Sequence, residues 1–129
     1  MALKHIFGET PVVKMMDFLI DHKGYDYSKM EVAENSNIEW TVLNGHWTLL
    51  EEWGFVKESR KIGNEMRYKL NEENTIVIKL LEFDHEAVVY MSERIAEKET
   101  AIEKVRRAEV EAIKIHGQEN KLLTQINAD

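Results

Sequence analysis

Residues 38–71 read IEWTVLNGHWTLLEEWGFVKESRKIGNEMRYKLN, and the apolar period changes within this stretch. Up to Gly54, Leu43, Trp47 and Leu50, with Trp53 closing the run, mark the buried side of a helix over residues 39–53. Gly45 in its interior costs roughly 1 kcal/mol relative to Ala, so tertiary packing has to offset it. After Gly54 the period falls to 2. Phe55, Met66, Tyr68 and Leu70 alternate with charged residues, as two short strands would, and Ile62, Gly63 and Asn64 supply the turn.

Upstream the pattern is helical. In ETPVVKMMDFLIDHKG, residues Val12, Val13, Met16, Leu19 and Ile20 form a stripe. Thr10 is placed as N-cap with Pro11 at the first helical position, and Gly24 ends the helix. Ser28 with Glu31 three residues on predicts a capping box for a short helix running to about Asn35. Downstream, Ile76, Leu80 and Phe83 share a stripe, and ERIAEKETAIEKVRRAEVEAIKI contains strong helix formers without Gly or Pro. There Val88, Met91, Ile95, Ile102, Val105 and Ala112 follow alternating three- and four-residue steps, interrupted by Lys98 and Glu109, which predicts a short helical pairing interface. Gly117 is expected to end this helix. The fold class expected is mostly α with a small β-hairpin: a winged helix-turn-helix over residues 1–83, then a long C-terminal helix, a dimerising extension over residues 84–129.

Composition narrows the function classes. With 43% hydrophobic residues in 129, the chain has enough apolar material for a core. The absence of Cys excludes disulfides, thiolate metal sites and Cys nucleophiles. No apolar run approaches the ~20 residues of a bilayer span, and no basic-then-apolar leader is visible, so a cytoplasmic protein without membrane contact is expected. The net charge is −7, yet it is uneven: residues 55–71 carry +3, between flanks of −5 each. His5, His22, His46, His85 and His116 are scattered without an i, i+4 pair, and no phosphate-binding, dinucleotide or nucleophile-elbow motif occurs. Asp84, His85 and Glu86 cannot share one helix face as metal ligands. No enzyme, metal or cofactor is expected.

Residues 3–84 as a whole, above all the LEEWGFV exit from the third helix and the RKIGNEMRYKLN hairpin, resemble archaeal winged helix-turn-helix transcriptional regulators. The resemblance implies a homodimer that binds double-stranded DNA, with helix 39–53 in the major groove and the basic wing 55–71 on phosphates. Trp40, Thr41, Asn44 and Thr48 lie on the exposed side of that helix, where Asn suits adenine and Thr suits a phosphate or a thymine methyl. Lys57, Arg60, Lys61, Asn64 and Arg67 belong to the wing, where cations would neutralise phosphates. His46 reads as a half-exposed histidine, Trp47 as core and Trp53 as domain packing. This chain departs from the family at Glu39, where Ser or Thr is usual, and at Thr75, where Pro is common; residues 38–53 contain no Lys or Arg. Those departures keep a second reading open, a winged-helix adaptor that binds a basic protein with its acidic third helix.

Overall fold

The computed structural model describes the backbone of residues 2–128 and side chains through residue 119. Helices α1 (Ala2–Phe7), α2 (Pro11–Asp21), α3 (Lys29–Ser36) and α4 (Trp40–Glu52) precede a hairpin of β1 (Val56–Ile62) and β2 (Glu65–Leu70), and α5 (Thr75–Ala128) completes the chain. The chain divides into two compact units, Met1–Val88 and Val89–Asp129.

In the first unit α2 is the central helix. Thr10 Oγ1 accepts from Val13 N–H, and Pro11 opens the helix. Burial exceeds the stripe expected: every residue from Met15 to Ile20 is buried, including Asp17. The reason is α1, which the sequence pattern did not announce. Leu3 packs into the core from one side, and the Asp17 carboxylate accepts from the Leu3 and Lys4 N–H groups at 3.3 and 3.0 Å, satisfying unpaired donors of the first turn of α1. Helix α3 opens on the expected capping box, with Ser28 Oγ accepting from Glu31 N–H and Glu31 Oε1 accepting from Ser28 N–H. It closes on Asn37 in the left-handed region at φ 55°. The tight turn sends the chain into α4, whose Leu43, Trp47 and Leu50 are buried.

The hairpin is antiparallel and turns at Gly63, whose φ of 62° suits glycine. Its register slips between Glu58 and Arg60, so Ser59 is the extra residue of a bulge. The strand of β1 begins at Val56, which is the buried residue, while Phe55 is only partly covered. A third segment joins the sheet: Tyr27 and Tyr68 exchange two backbone hydrogen bonds at 2.8 and 2.7 Å. Residue Tyr27 thus anchors the hairpin to the segment between α2 and α3.

Two expectations about α5 are corrected. Asn74 Oδ1 accepts from Ile76 and Val77 N–H, while its Nδ2 donates to the carbonyls of Trp53 and Gly54. That double tie fixes the helix rotation so that Val77 is fully buried and Leu80 and Leu81 are partly buried. Ile76 stays exposed, and Phe83, exposed on its outer side, stacks on Phe7 at 5.9 Å. The helix also continues through Gly117 to Ala128. Gly117 has no positive φ, so it pays the ordinary helix-interior cost of roughly 1 kcal/mol instead of turning the chain.

Candidate nucleic-acid interface

Helical geometry turns one side of α4 away from the core. With Leu43, Trp47 and Leu50 inward, Thr41, Asn44, Gly45, Thr48 and Leu49 are all exposed, and Trp40 stands at the helix start with 40% exposure. The Thr41 hydroxyl donates to Glu39 Oε1 at 3.0 Å. Glu39, the N-cap residue, makes no side-chain capping bond, so the first N–H groups of α4 lack that partner. His46 is half-buried with Nδ1 2.8 Å from the Val42 carbonyl oxygen. Trp47 is core, its ring edge-on to Tyr68 at 5.1 Å. Trp53 is not packed away as expected: it is 57% exposed and lies tilted against Phe55. It falls just beyond the last turn of α4, where the helix has left the core.

The hairpin places cations opposite one another. Lys57 faces Lys69, and Arg60 faces Arg67, arrangements that cost stability unless an anion intervenes. For the arginine pair the anion is Asp26. Its carboxylate accepts from Arg60 Nε at 2.8 Å, from Arg67 Nε at 3.1 Å and from the Ser59 hydroxyl at 2.9 Å. The bulge at Ser59 puts all three donors within reach of that one side chain. Arg67 goes further, donating to Glu31 Oε1 at 2.6 Å and to the Asp26 carbonyl at 2.9 Å. Arg60, and after it Arg67, hold the Asp26 carboxyl far below the usual carboxylate range. Arg67 lowers Glu31 in the same way, and the two acids in turn raise the guanidinium. Burial pushes the Tyr68 phenol up, with Glu51 and Glu58 adding to it.

The nine residues singled out from the sequence therefore fall into three groups. Thr41, Asn44 and Thr48 share the outward side of α4. Trp40 and Asn64 line one groove of about 320 Å³ between the start of α4 and the hairpin turn, whose lining also includes Lys29, Glu65, Met66 and Tyr68. On the hairpin, Lys61 is exposed without an ion pair among the described residues, Lys57 reaches Glu73 at 3.7 Å, and Arg60 remains largely exposed while touching Asp26. Arg67 differs from these, since its side chain is only 17% exposed and points into the acidic pair.

Asp26 and Lys29 carry no site signal in the sequence, and Gly45 shows there only as a helix-interior cost. Asp26 sits in a YDY triplet without any local signal, because its partners lie 34 and 41 residues away. The Lys29 ammonium sits 5.7 Å from both the Trp47 and Tyr68 ring centres, a placement that requires the folded hairpin. Gly45 occupies the middle of the outward side, and a Cβ there would meet nothing within 4 Å. Among the described residues no group of three or more His, Cys, Asp or Glu is placed to hold a metal ion, and no helix is long and apolar enough to cross a membrane.

No family model and no curated protein matches the chain. Solved structures do. A double mutant of Lactococcus lactis ZitR in apo form aligns with a TM-score of 0.52 at 19% identity, covering 83% of this chain and 86% of that one. Another structure of this double mutant aligns with a TM-score of 0.50 at 19% identity, over 78% and 73%. The adhesin competence repressor AdcR from Streptococcus pyogenes aligns at 0.49 and 11% identity, over 66% and 65%. ZitR is a zinc-responsive MarR family member. At these identities the likeness is one of fold: the chain is a winged helix-turn-helix protein, mostly helical, with one hairpin and a long C-terminal helix.

Proposed function

We propose that the protein is a transcriptional regulator that binds double-stranded DNA, with α4 in the major groove and the hairpin along adjacent phosphates. It acts as a homodimer paired through the second unit of α5, in the cytoplasm and without catalytic activity. The observation that carries this reading is the outward side of α4, where Asn44, Gly45 and Thr48 are exposed beside a net-positive hairpin. Short polar side chains around a glycine allow a helix backbone to approach base edges closely, and Asn44 has the donor–acceptor pair that adenine requires. The resemblance of residues 3–84 to archaeal regulators supports the same reading.

Within it the roles divide. Lys61, Lys57 and Lys69 contact phosphate, and Arg60 shares its guanidinium between Asp26 and DNA. Arg67 positions the hairpin instead of touching the duplex. Trp40 and Asn64, on one groove, flank the backbone that passes between α4 and the turn. A mobility shift on random and genomic fragments, at low and moderate salt, tests the proposal. Salt-sensitive binding with preference for some fragments is expected, and no binding at low salt overturns it. The second reading, an adaptor for a basic protein, is favoured by the exposed Glu39, Glu51 and Glu52 on a helix without Lys or Arg, and it takes over on that outcome.

A further inference from the structure

The second unit carries its apolar residues in a pattern that selects a partner. Residues 91, 95, 98, 102, 105, 109 and 112 alternate steps of three and four along the helix, giving Met91, Ile95, Lys98, Ile102, Val105, Glu109 and Ala112. Met91, Ile95, Ile102 and Val105 are each more than half exposed. A shallow concavity lined by Ala101, Ile102, Val105, Arg106 and Glu109 marks the middle of this side. Lys98 and Glu109 sit on the seam itself, and neither has an ion pair among the described residues.

We infer that this helix pairs antiparallel with a second copy of the chain, about a two-fold axis crossing between Glu103 and Lys104. In that register Lys98 lies opposite the partner's Glu109, and Glu109 opposite the partner's Lys98. Ile102 meets the partner's Val105, and Ile95 meets the partner's Ala112, whose small side chain is flanked by Ile113 and Ile115. The two seam charges are of opposite sign and equidistant from the axis, so one operation forms the Lys98–Glu109 pair twice. The flanks agree. Antiparallel pairing sets Glu99 against the partner's Arg106 on one edge and Ala101 against the partner's Ala108 on the other, an attraction and a close small-residue contact. Arg106 is 66% exposed and its one ion pair among the described residues is with its own Glu103, at 3.5 Å, so its guanidinium reaches across without leaving a buried partner.

A parallel dimer does not work. It stacks Lys98 on Lys98 and Glu109 on Glu109 within the seam, two like-charge layers in a partly desolvated interface. Moving the antiparallel axis by half a heptad is no better, because each charge then faces an apolar residue or His116. The inference deepens the homodimer part of the proposed function but is independent of DNA, and it is measured without any. A protein that dimerises this way and binds no DNA fails only the regulator reading; one that binds DNA as a monomer fails the pairing and the homodimer clause and keeps the DNA-binding reading.

The test uses the full chain. Sedimentation equilibrium is expected to show a dimer that K98E and E109K each weaken by about tenfold or more, and that the K98E/E109K double variant restores. Spin labels at Glu93 and Thr100 then read the direction. Antiparallel pairing separates the Glu93 labels by about 30 Å along the helices and the Thr100 labels by about 10 Å, whereas a parallel pair gives equal separations. Equal separations, a double variant no tighter than the singles, or a monomer at 100-micromolar order would each overturn the inference. Circular dichroism of each variant separates lost pairing from lost helix.

Discussion

Arg67 Nη1 donates to Glu31 Oε1 at 2.6 Å, and that bond joins the middle of β2 to the first turn of α3. Glu31 also completes the capping box with Ser28, so one side chain serves both the start of a helix and the seat of the hairpin. Asp26 extends the junction to Arg60. Charge therefore adds to the Tyr27–Tyr68 backbone bonds in setting the hairpin against the helix-turn-helix, and acid should loosen it.

The sign follows from the depressed carboxyls. Asp26 and Glu31 ordinarily titrate near 3.8 and 4.5, and both fall lower in the folded chain. Their contribution to stability is complete above those ordinary values and is lost as pH falls through the folded ones. Urea midpoints are expected to hold from pH 7 to 5 and to drop below about pH 4. In Arg67→Met the midpoint should be lower at pH 7, and its further decline in acid should be shallower. An acid decline as steep as that of the parent would show that other carboxylates govern it.

Trp47 and Asn44 should separate stability from recognition. Trp47 is a fully buried ring, so Trp47→Ala is expected to cost about 3–5 kcal/mol in chemical denaturation. Asn44 is exposed, and Asn44→Ala should change stability by less than about 0.5 kcal/mol. Its effect is expected at one base position, where discrimination falls by ~1–3 kcal/mol, as read by competition among single-base variants of a selected site.

Gly45→Ala should do two opposite things. An added methyl meets nothing in the protein, so the helix gains, and stability should rise by up to about 1 kcal/mol. The same methyl occupies the space through which the α4 backbone would approach a base edge. DNA affinity should fall while the melting temperature rises. Improvement of both would mean that α4 is not the element nearest the groove.

On the hairpin, Lys61 and Arg67 should behave differently although they lie on paired strands. Lys61→Ala is expected to reduce the slope of log affinity against log salt by about 1 and to leave melting unchanged. Arg67→Ala should lower melting, with a smaller direct effect on the salt slope. An unchanged slope in Lys61→Ala would place the positive strand away from DNA.

Short-range patterns were legible wherever a feature closes within a few residues. The Ser28–Glu31 box, the Thr10–Pro11 start, the Leu43–Trp47–Leu50 side and the turn at Gly63 all involve partners no more than seven residues apart, and each appears as read. The hairpin's departure lay in Ser59, whose bulge no alternation pattern could show. The rotation of α5 also escaped, because Ile76 and Val77 look alike in sequence and only Asn74, bonded to the end of α4, chooses between them.

The candidate site divides along the same line. Composition and period were sufficient to find a positive hairpin beside a helix with short polar residues outward, since both properties belong to single elements. How many of those cations remain available to an anion could not be read that way. It rests on Asp26 and Glu31, brought to Arg60 and Arg67 across 34 to 41 positions of chain. Electrostatic partners depend on distance in space, and for residues so far apart in sequence that distance exists only once α2, α3 and the hairpin have packed together.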